Sequence, residues 1–414
     1  MSSEQYKYVI IGGGLAAGYA ARTFAEYGDS ASSQLCILSA DSELPYERPS
    51  LSKHFLASDA SIGEILINDP EFYRQHDIEV RLETVVGRID CDNHLLYAGN
   101  YIIGYERLMI ATGARAKTLP VPGFDLNGIH TLRMALDART IRHAAHQAAR
   151  TVVIGGSFIG MEVASVLQSL GVQTTLVFPE ARVWQTLFTP EISSFFEQYY
   201  SERGVELVKG ALIDRFEGSN GQVQHVILKS GRALPASLVV AGVGVEPNLE
   251  LFAETPLQID DGIIVNRFLE TIEPHVFAVG DVARYHDPLT DKLIRIEHWD
   301  NAKSQGEHAA RGMLGIRQEY RHVPYFFSDV FDLSFEFWGD TSSAVTAVRR
   351  GNLDAGQFST WWLDDEGRLV AAFIMDRPEE ERALAPDWIQ ERAILEPETL
   401  RTAEFLQGAE TPAT

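Results

Sequence analysis

Cysteine is almost missing from this chain: Cys36 and Cys91 are the 2 cysteines in 414 residues. They form neither a C-x-x-C pair nor a metal-like cluster, which argues against a redox disulfide, and Cys36, set in an apolar run, reads as a small buried hydrophobe. Positive charge is also scarce, with 35 Lys and Arg against 58 Asp and Glu and a formal net charge of -23. Nucleic acid is therefore not an expected partner, because binding to a phosphate backbone draws on Lys and Arg. The same acidity would repel an acidic carrier protein except at a locally basic patch. No apolar run suggests a membrane span, and the amino terminus lacks the charged-then-apolar pattern of a secretory signal, so a cytoplasmic protein is expected. At 45% hydrophobic residues, 414 positions can bury sizeable cores in two or three domains.

What is present is a pair of glycine-rich turns, each after a β-branched apolar run and each opening a helical pattern. The first runs from Tyr8-Val9-Ile10-Ile11 into Gly12-Gly13-Gly14-Leu15-Ala16-Ala17, placing Gly12, Gly14 and Ala17 in the G-x-G-x-x-G/A frame of a dinucleotide-binding βα turn. The second runs from Thr151-Val152-Val153-Ile154 into Gly155-Gly156-Ser157-Phe158-Ile159-Gly160, with Ser157 in the middle glycine slot. Each turn aims unpaired N–H groups and the positive end of a helix at phosphates, so two turns imply two dinucleotides.

Between and beyond these turns the chain carries further candidates. Asp41 follows the strand-like Gln34-Leu35-Cys36-Ile37-Leu38 and is placed to accept a ribose hydroxyl. A strand near Arg107 ends in Ala111-Thr112-Gly113, small residues that let the backbone approach a cofactor closely. Leu119-Pro120-Val121-Pro122-Gly123 breaks the pattern and marks a domain crossing. After the strand Thr174 to Phe178, Pro179 and then Glu180 follow. A carboxylate there can accept both ribose hydroxyls and would repel the extra phosphate of NADP, although Arg182 lies close in sequence and a solvated loop glutamate would read the same way. A hairpin is expected around Gly218 to Gly221, and Leu238 to Gly244 reads as a buried strand returning to the first domain, with Gly244 a cofactor-binding candidate at its end. Val276 to Gly280-Asp281 ends a further strand in a carboxylate. From about Tyr320 the runs become short and aromatic, which suggests a small α+β domain, and the last residues, Gly408 to Thr414, look frayed.

In this order the segments resemble the FAD-dependent pyridine-nucleotide oxidoreductases, in the branch of ferredoxin reductases, monodehydroascorbate reductases and apoptosis-inducing-factor-like flavoproteins. The most specific stretch is Pro45-Tyr46-Glu47-Arg48-Pro49-Ser50-Leu51-Ser52-Lys53, similar to the segment beside the flavin in that branch. The resemblance implies that Gly12, Gly14, Asp41, Arg48, Ala111 and Asp281 surround FAD, that Gly155, Gly160 and Glu180 surround NAD, and that Lys53 and Glu162 form a catalytic charge pair. It also implies that a helix beginning near His298-Trp299 faces the flavin pyrimidine edge, and that Phe327 stacks near the ring. Phe158 or Phe327 would shield the reacting face. The run Phe188-Thr189-Pro190-Glu191-Ile192 looks most like monodehydroascorbate reductase. Plant members, however, have an arginine for the ascorbyl substrate at Asp329 and a tyrosine near Trp361, whereas Phe326-Phe327-Ser328-Asp329 looks like the ferredoxin reductases.

The expectation is an α/β fold with two Rossmann-like dinucleotide-binding domains and a small α+β carboxy-terminal domain. The FAD domain takes 1–115 and 242–319, an inserted NAD(P) domain 116–241, and a lid or interface domain 320–414. The expected reaction carries hydride from NADH, favoured over NADPH, to FAD, and electrons onward without a cysteine relay. The acceptor is expected to be a small radical such as monodehydroascorbate or a carrier such as ferredoxin or rubredoxin. A slow-turnover NADH-sensing flavoprotein is the alternative, and the oligomeric state stays open.

Overall fold

The computed structural model describes residues 2–402, so the carboxyl end expected to fray lies outside the described residues. The chain forms two compact units. Ala60–Arg115 and Val245–His322 join the amino-terminal segment up to Ser50 in the first; Leu51–Asp59, Ala116–Gly244 and the chain from Val323 onward make the second.

In the first unit, parallel strands run in the order Glu79–Arg81, Leu35–Leu38, Ser2–Ile11 and Tyr101–Ile110. The strand Val276–Ala278 pairs in parallel with the last residues of Tyr101–Ile110, Phe277 facing Met109. Leu35–Leu38 is buried at every position, as befits a parallel strand covered on both faces. Cys36 is one of those residues, fully buried as its apolar surroundings imply. Two helices, Leu15–Glu26 and Trp299–Met313, pack on the sheet, and Phe24, Ala309 and Met313 join Val9, Ile10, Leu108 and Met109 in one core. Each such large apolar side chain contributes roughly 1.5–3 kcal/mol on leaving water.

The second unit holds a parallel sheet in the order Glu206–Val208, Gln173–Val177, Arg150–Ile154, Leu238–Ala241 and Ile129–Thr131. The strand Leu238–Ala241 thus does not return to the first unit: Val239 pairs with Val152 on one side and Ile129 on the other. Its four-residue apolar run is buried throughout, and such a run carries no mark of which sheet will take it. The expected hairpin is present between Ile213–Ser219 and Gln222–Leu228, with Asn220 and Gly221 both at positive φ, the two-residue turn that matches strand twist.

Further along the second unit, a five-stranded antiparallel sheet runs Tyr325–Val330, Leu333–Gly339, Leu369–Met375, Gln357–Leu363 and Thr346–Asn352, followed by the helix Glu379–Gln390. This is the aromatic α+β region of the sequence, and it clusters with residues 116–244. Trp361 lies wholly inside it, its indole N–H donating to the Ser359 hydroxyl at 2.9 Å and its ring 6.0 Å from Trp388. An indole so enclosed serves packing and offers nothing to an acceptor. Among the described residues no helix is long and apolar enough to cross a membrane.

Candidate active site

In the first unit the turn after Ser2–Ile11 has Gly12 at φ 116°, where a Cβ would stand 2.1 Å from the Ala111 carbonyl oxygen. Only glycine meets both demands. Gly14 is the cap residue of Leu15–Glu26, whose first turn carries no acidic side chain, and Ala17 is buried beneath. A Cβ on Gly14 would meet only the Arg48 guanidinium, at 3.9 Å. Helix N–H groups, a guanidinium and open space above a glycine suit a pyrophosphate. Thr112 and Gly113 follow Ala111, and the Asn248 side chain donates to the Thr112 carbonyl at 2.9 Å. Asp41 stands three residues past the end of Leu35–Leu38, half-buried; its N–H donates to the Ser39 hydroxyl at 3.1 Å, and one of its carboxylate oxygens accepts from Tyr46 at 3.0 Å.

Gly280 and Asp281 open a short turn after Val276–Ala278, with Asp281 buried. The Gly280 N–H donates to Gln305 Oε1 at 2.8 Å, while Gln305 Nε2 is buried without a partner among the described residues. An orphaned amide donor beside this turn fits a site that receives a polar group. His298 caps Trp299–Met313 by position, without a side-chain cap bond. Trp299 donates its indole N–H to Glu47, which also accepts from Tyr19 at 2.6 Å. Glu47 belongs to the segment singled out beside Arg48, and sequence reasoning missed it; its spacing in that motif was the available signal.

The second turn repeats the first. Gly155 has φ 124°, and a Cβ there would stand 2.2 Å from the Gly242 carbonyl oxygen. The helix Phe158–Ser169 begins after Ser157, whose hydroxyl is exposed and makes no cap bond; Ile159 is exposed and Gly160 buried. Gly244 lies beyond Leu238–Ala241 at φ 95°. Glu180 is exposed past the end of Gln173–Val177, and its carboxylate has no partner among the described residues. Arg182 is turned to other work, donating to the carbonyls of Gln185 and Phe188 at 3.0 and 3.2 Å.

Within the same unit Lys53 and Glu162 meet at 2.6 Å. Glu162, on the helix Phe158–Ser169, is only 3% exposed, a burial that a carboxylate tolerates only when donors surround it. Besides Lys53, Ser328 donates to it at 2.6 Å and Ser52 donates to its other oxygen. Both serines lie in motifs visible in the sequence, but only the fold shows that they converge on one carboxylate. Lys53 stands 5.1 Å over the Phe327 ring, and Phe158 meets Phe326 edge to face at 4.5 Å.

Residues 6–306 match the family described as pyridine nucleotide-disulphide oxidoreductase, and residues 323–405 match the carboxy-terminal domain of monodehydroascorbate reductase 3-like proteins. The chain belongs to the pyridine nucleotide-disulphide oxidoreductases. It is 34% identical to the chloroplast monodehydroascorbate reductase 5 of Oryza sativa subsp. japonica, over 98% of this chain and 87% of that one. It is 39% identical to the peroxisomal monodehydroascorbate reductase 4 of Arabidopsis thaliana, over 91% and 80%. Among solved structures, the ferredoxin reductase for the CYP199A2 system of Rhodopseudomonas palustris matches with TM-score 0.92 at 29% identity, covering 97% and 99%. Putidaredoxin reductase in its covalent complex with putidaredoxin also matches at 0.92, with 30% identity over 98% and 99%. This family member is therefore an FAD-dependent NAD(P)H oxidoreductase of the branch that the sequence resembles.

The disulphide of the family's description has no counterpart here. Cys36 and Cys91 are both buried and free, and burial pushes the Cys36 thiol up to about 12 and that of Cys91 up to about 11. Neither supplies a thiolate at neutral pH. Burial acts on His298 too, pushing its imidazole down to about 4 against the opposing pull of Asp281 and Asp300, so it stands neutral where the helix begins.

Proposed function

We propose that this oxidoreductase draws its electrons from NADH in preference to NADPH and delivers them singly to a small diffusible acceptor, in the manner of a monodehydroascorbate reductase. The observation that carries the reading is the Lys53–Glu162 pair, its carboxylate buried and held by Ser52 and Ser328, in a protein without a cysteine relay. Bound FAD would supply the ring that accepts hydride and releases electrons one at a time.

The chain's own residues do the rest. Gly12, Gly14, Ala17 and Arg48 would hold the flavin dinucleotide's pyrophosphate, Asp41 a ribose hydroxyl, and Ala111, Thr112, Gly113, Gly280 and Asp281 the parts that need close backbone approach. Gly155, Ser157, Ile159 and Gly160 would take the nicotinamide dinucleotide's pyrophosphate, with Gly244 at the neighbouring strand end. Lys53 places a positive charge where negative charge develops, and Glu162 balances it at rest. Phe158 and Phe327 would keep water from the reacting face. Trp299 and His298 would orient the start of their helix, whose dipole favours an added negative charge.

The nucleotide preference follows from Glu180. Its exposed carboxylate can accept two hydroxyls, whereas the added phosphate of NADPH would meet a like charge. The nearby cations are committed elsewhere, Arg182 to two carbonyls and Lys209 to Glu197 at 2.8 Å. A second reading, electron delivery to a small carrier protein, is favoured by the TM-scores of 0.92 to the ferredoxin and putidaredoxin reductases.

Anaerobic titration of the purified yellow protein tests the proposal. About one equivalent of NADH should bleach the flavin and NADPH should do so poorly, after which monodehydroascorbate or a ferredoxin is offered. Equal bleaching by both nucleotides would remove the role given to Glu180; turnover with the carrier alone would move the second reading ahead.

A further inference from the structure

The strands Tyr325–Val330 and Leu333–Gly339 present one face with a distinctive charge balance. Burial alternates along the first strand, leaving Tyr325, Phe327 and Asp329 on the more open side. Across the ladder these oppose Trp338, Glu336 and Ser334. Tyr325 lies 4.1 Å from Trp338 and 6.4 Å from Phe327, ring centre to ring centre, a platform suited to a planar group. Most charges of this face cancel in pairs. Lys53, over Phe327, is matched by Glu162, and Glu336 is matched by Arg382. The Asp329 carboxylate alone is left over, half-buried and with no hydrogen bond or ion pair to any described residue.

We propose that Asp329 sets the charge selectivity of the electron-accepting face, so that uncharged and cationic acceptors, a planar quinone above all, are used in preference to anions. This rests on the reading of Lys53 and Phe327 as bordering the reacting ring. Residues two apart on a strand are about 7 Å apart, at which one unit charge shifts the preference for another by about 3- to 50-fold between watery and half-buried surroundings. For a quinone the reaction balances with one proton from solvent: NADH loses hydride to become NAD+, and the quinone gains two electrons and two protons to become the hydroquinone. For an anionic acceptor such as the monodehydroascorbate radical, the carboxylate raises KM.

The test uses the flavin-loaded protein at low ionic strength, with NADH as donor and three acceptors: ferricyanide, hexaammineruthenium(III) and an uncharged water-soluble quinone. Wild type is compared with Asp329→Asn, Asp329→Arg and, as a control of equal total charge, Asp365→Asn in an exposed turn. Asp329→Asn should raise the ratio of kcat/KM for ferricyanide over hexaammineruthenium(III) by roughly a hundredfold or more, because the two acceptors carry three charges each and of opposite sign. Asp329→Arg should raise it further, while Asp365→Asn stays near wild type and the quinone value moves least. Iodide quenching of tryptophan fluorescence, to which Trp338 contributes, should strengthen in Asp329→Asn while quenching by uncharged acrylamide does not. Equal shifts from Asp329→Asn and Asp365→Asn, or none, overturn the inference if NADH still bleaches the flavin. Failure of NADH to bleach wild type overturns the parent reading together with this one.

Discussion

A carboxylate as enclosed as Glu162 survives folding only because three donors converge on it. Removing one leaves the charge short of a partner it cannot replace with water, and hydrogen bonds to charged groups are the costly ones to lose. Ser328→Ala should therefore lower the unfolding free energy by about 1–3 kcal/mol, read from urea denaturation of the flavin-loaded protein. His298 makes a different prediction. Its folded pKa is about 4, below the unfolded value of about 6.5, so the unfolded chain binds the extra proton between these pH values. The stability due to keeping this imidazole neutral is complete above about pH 6.5, falls as pH drops toward 4, and loses no more below that. Melting temperatures of wild type and His298→Asn across this window should converge as pH falls. The pair Lys53–Glu162 was legible through a resemblance, but Ser52 and Ser328 were not: a serine's partner is set by where three distant segments meet.

The two βα turns are the same device built twice, and each rests on a strand-ending glycine at positive φ pressed against a carbonyl of the neighbouring strand. An added methyl would meet both the left-handed penalty and the close oxygen. Gly155→Ala should cost on the order of 2 kcal/mol or more and raise KM for NADH while flavin stays bound. Gly12→Ala should instead reduce flavin retention, measured as flavin per chain after gel filtration. Both turns could be read directly from β-branched runs followed by glycines, because strand, turn and helix signals there lie within a dozen residues. Leu238–Ala241 could not be assigned so easily, since its partners Arg150–Ile154 and Ile129–Thr131 lie about 90 or more residues away. Trp361 shows the same limit: strand alternation tells that one face is inside, not which tryptophan of Trp361-Trp362 faces a helix and which a sheet neighbour.

For the whole molecule the governing quantity is a net charge of -23, which acts over distances that pairwise contacts do not. Between about 10 mM and 150 mM salt the screening length falls from roughly 30 to 8 Å. Electron transfer to an acidic carrier should accordingly speed up as salt rises over this range, while transfer to a cationic acceptor slows, which stopped-flow measurement of flavin reoxidation would record. A carrier reaction that slows with salt would instead point to a local basic patch that the total charge conceals. The sequence by itself determined the class of protein, the two dinucleotide turns and the absence of a redox disulfide, because these depend on composition and on neighbours along the chain. Tertiary structure decided which sheet takes each buried strand, which serines surround Glu162, and that Asp329 stands unpaired while the charges beside it cancel. Burial and pairing are properties of segments that meet in space, and no local pattern along the chain specifies them.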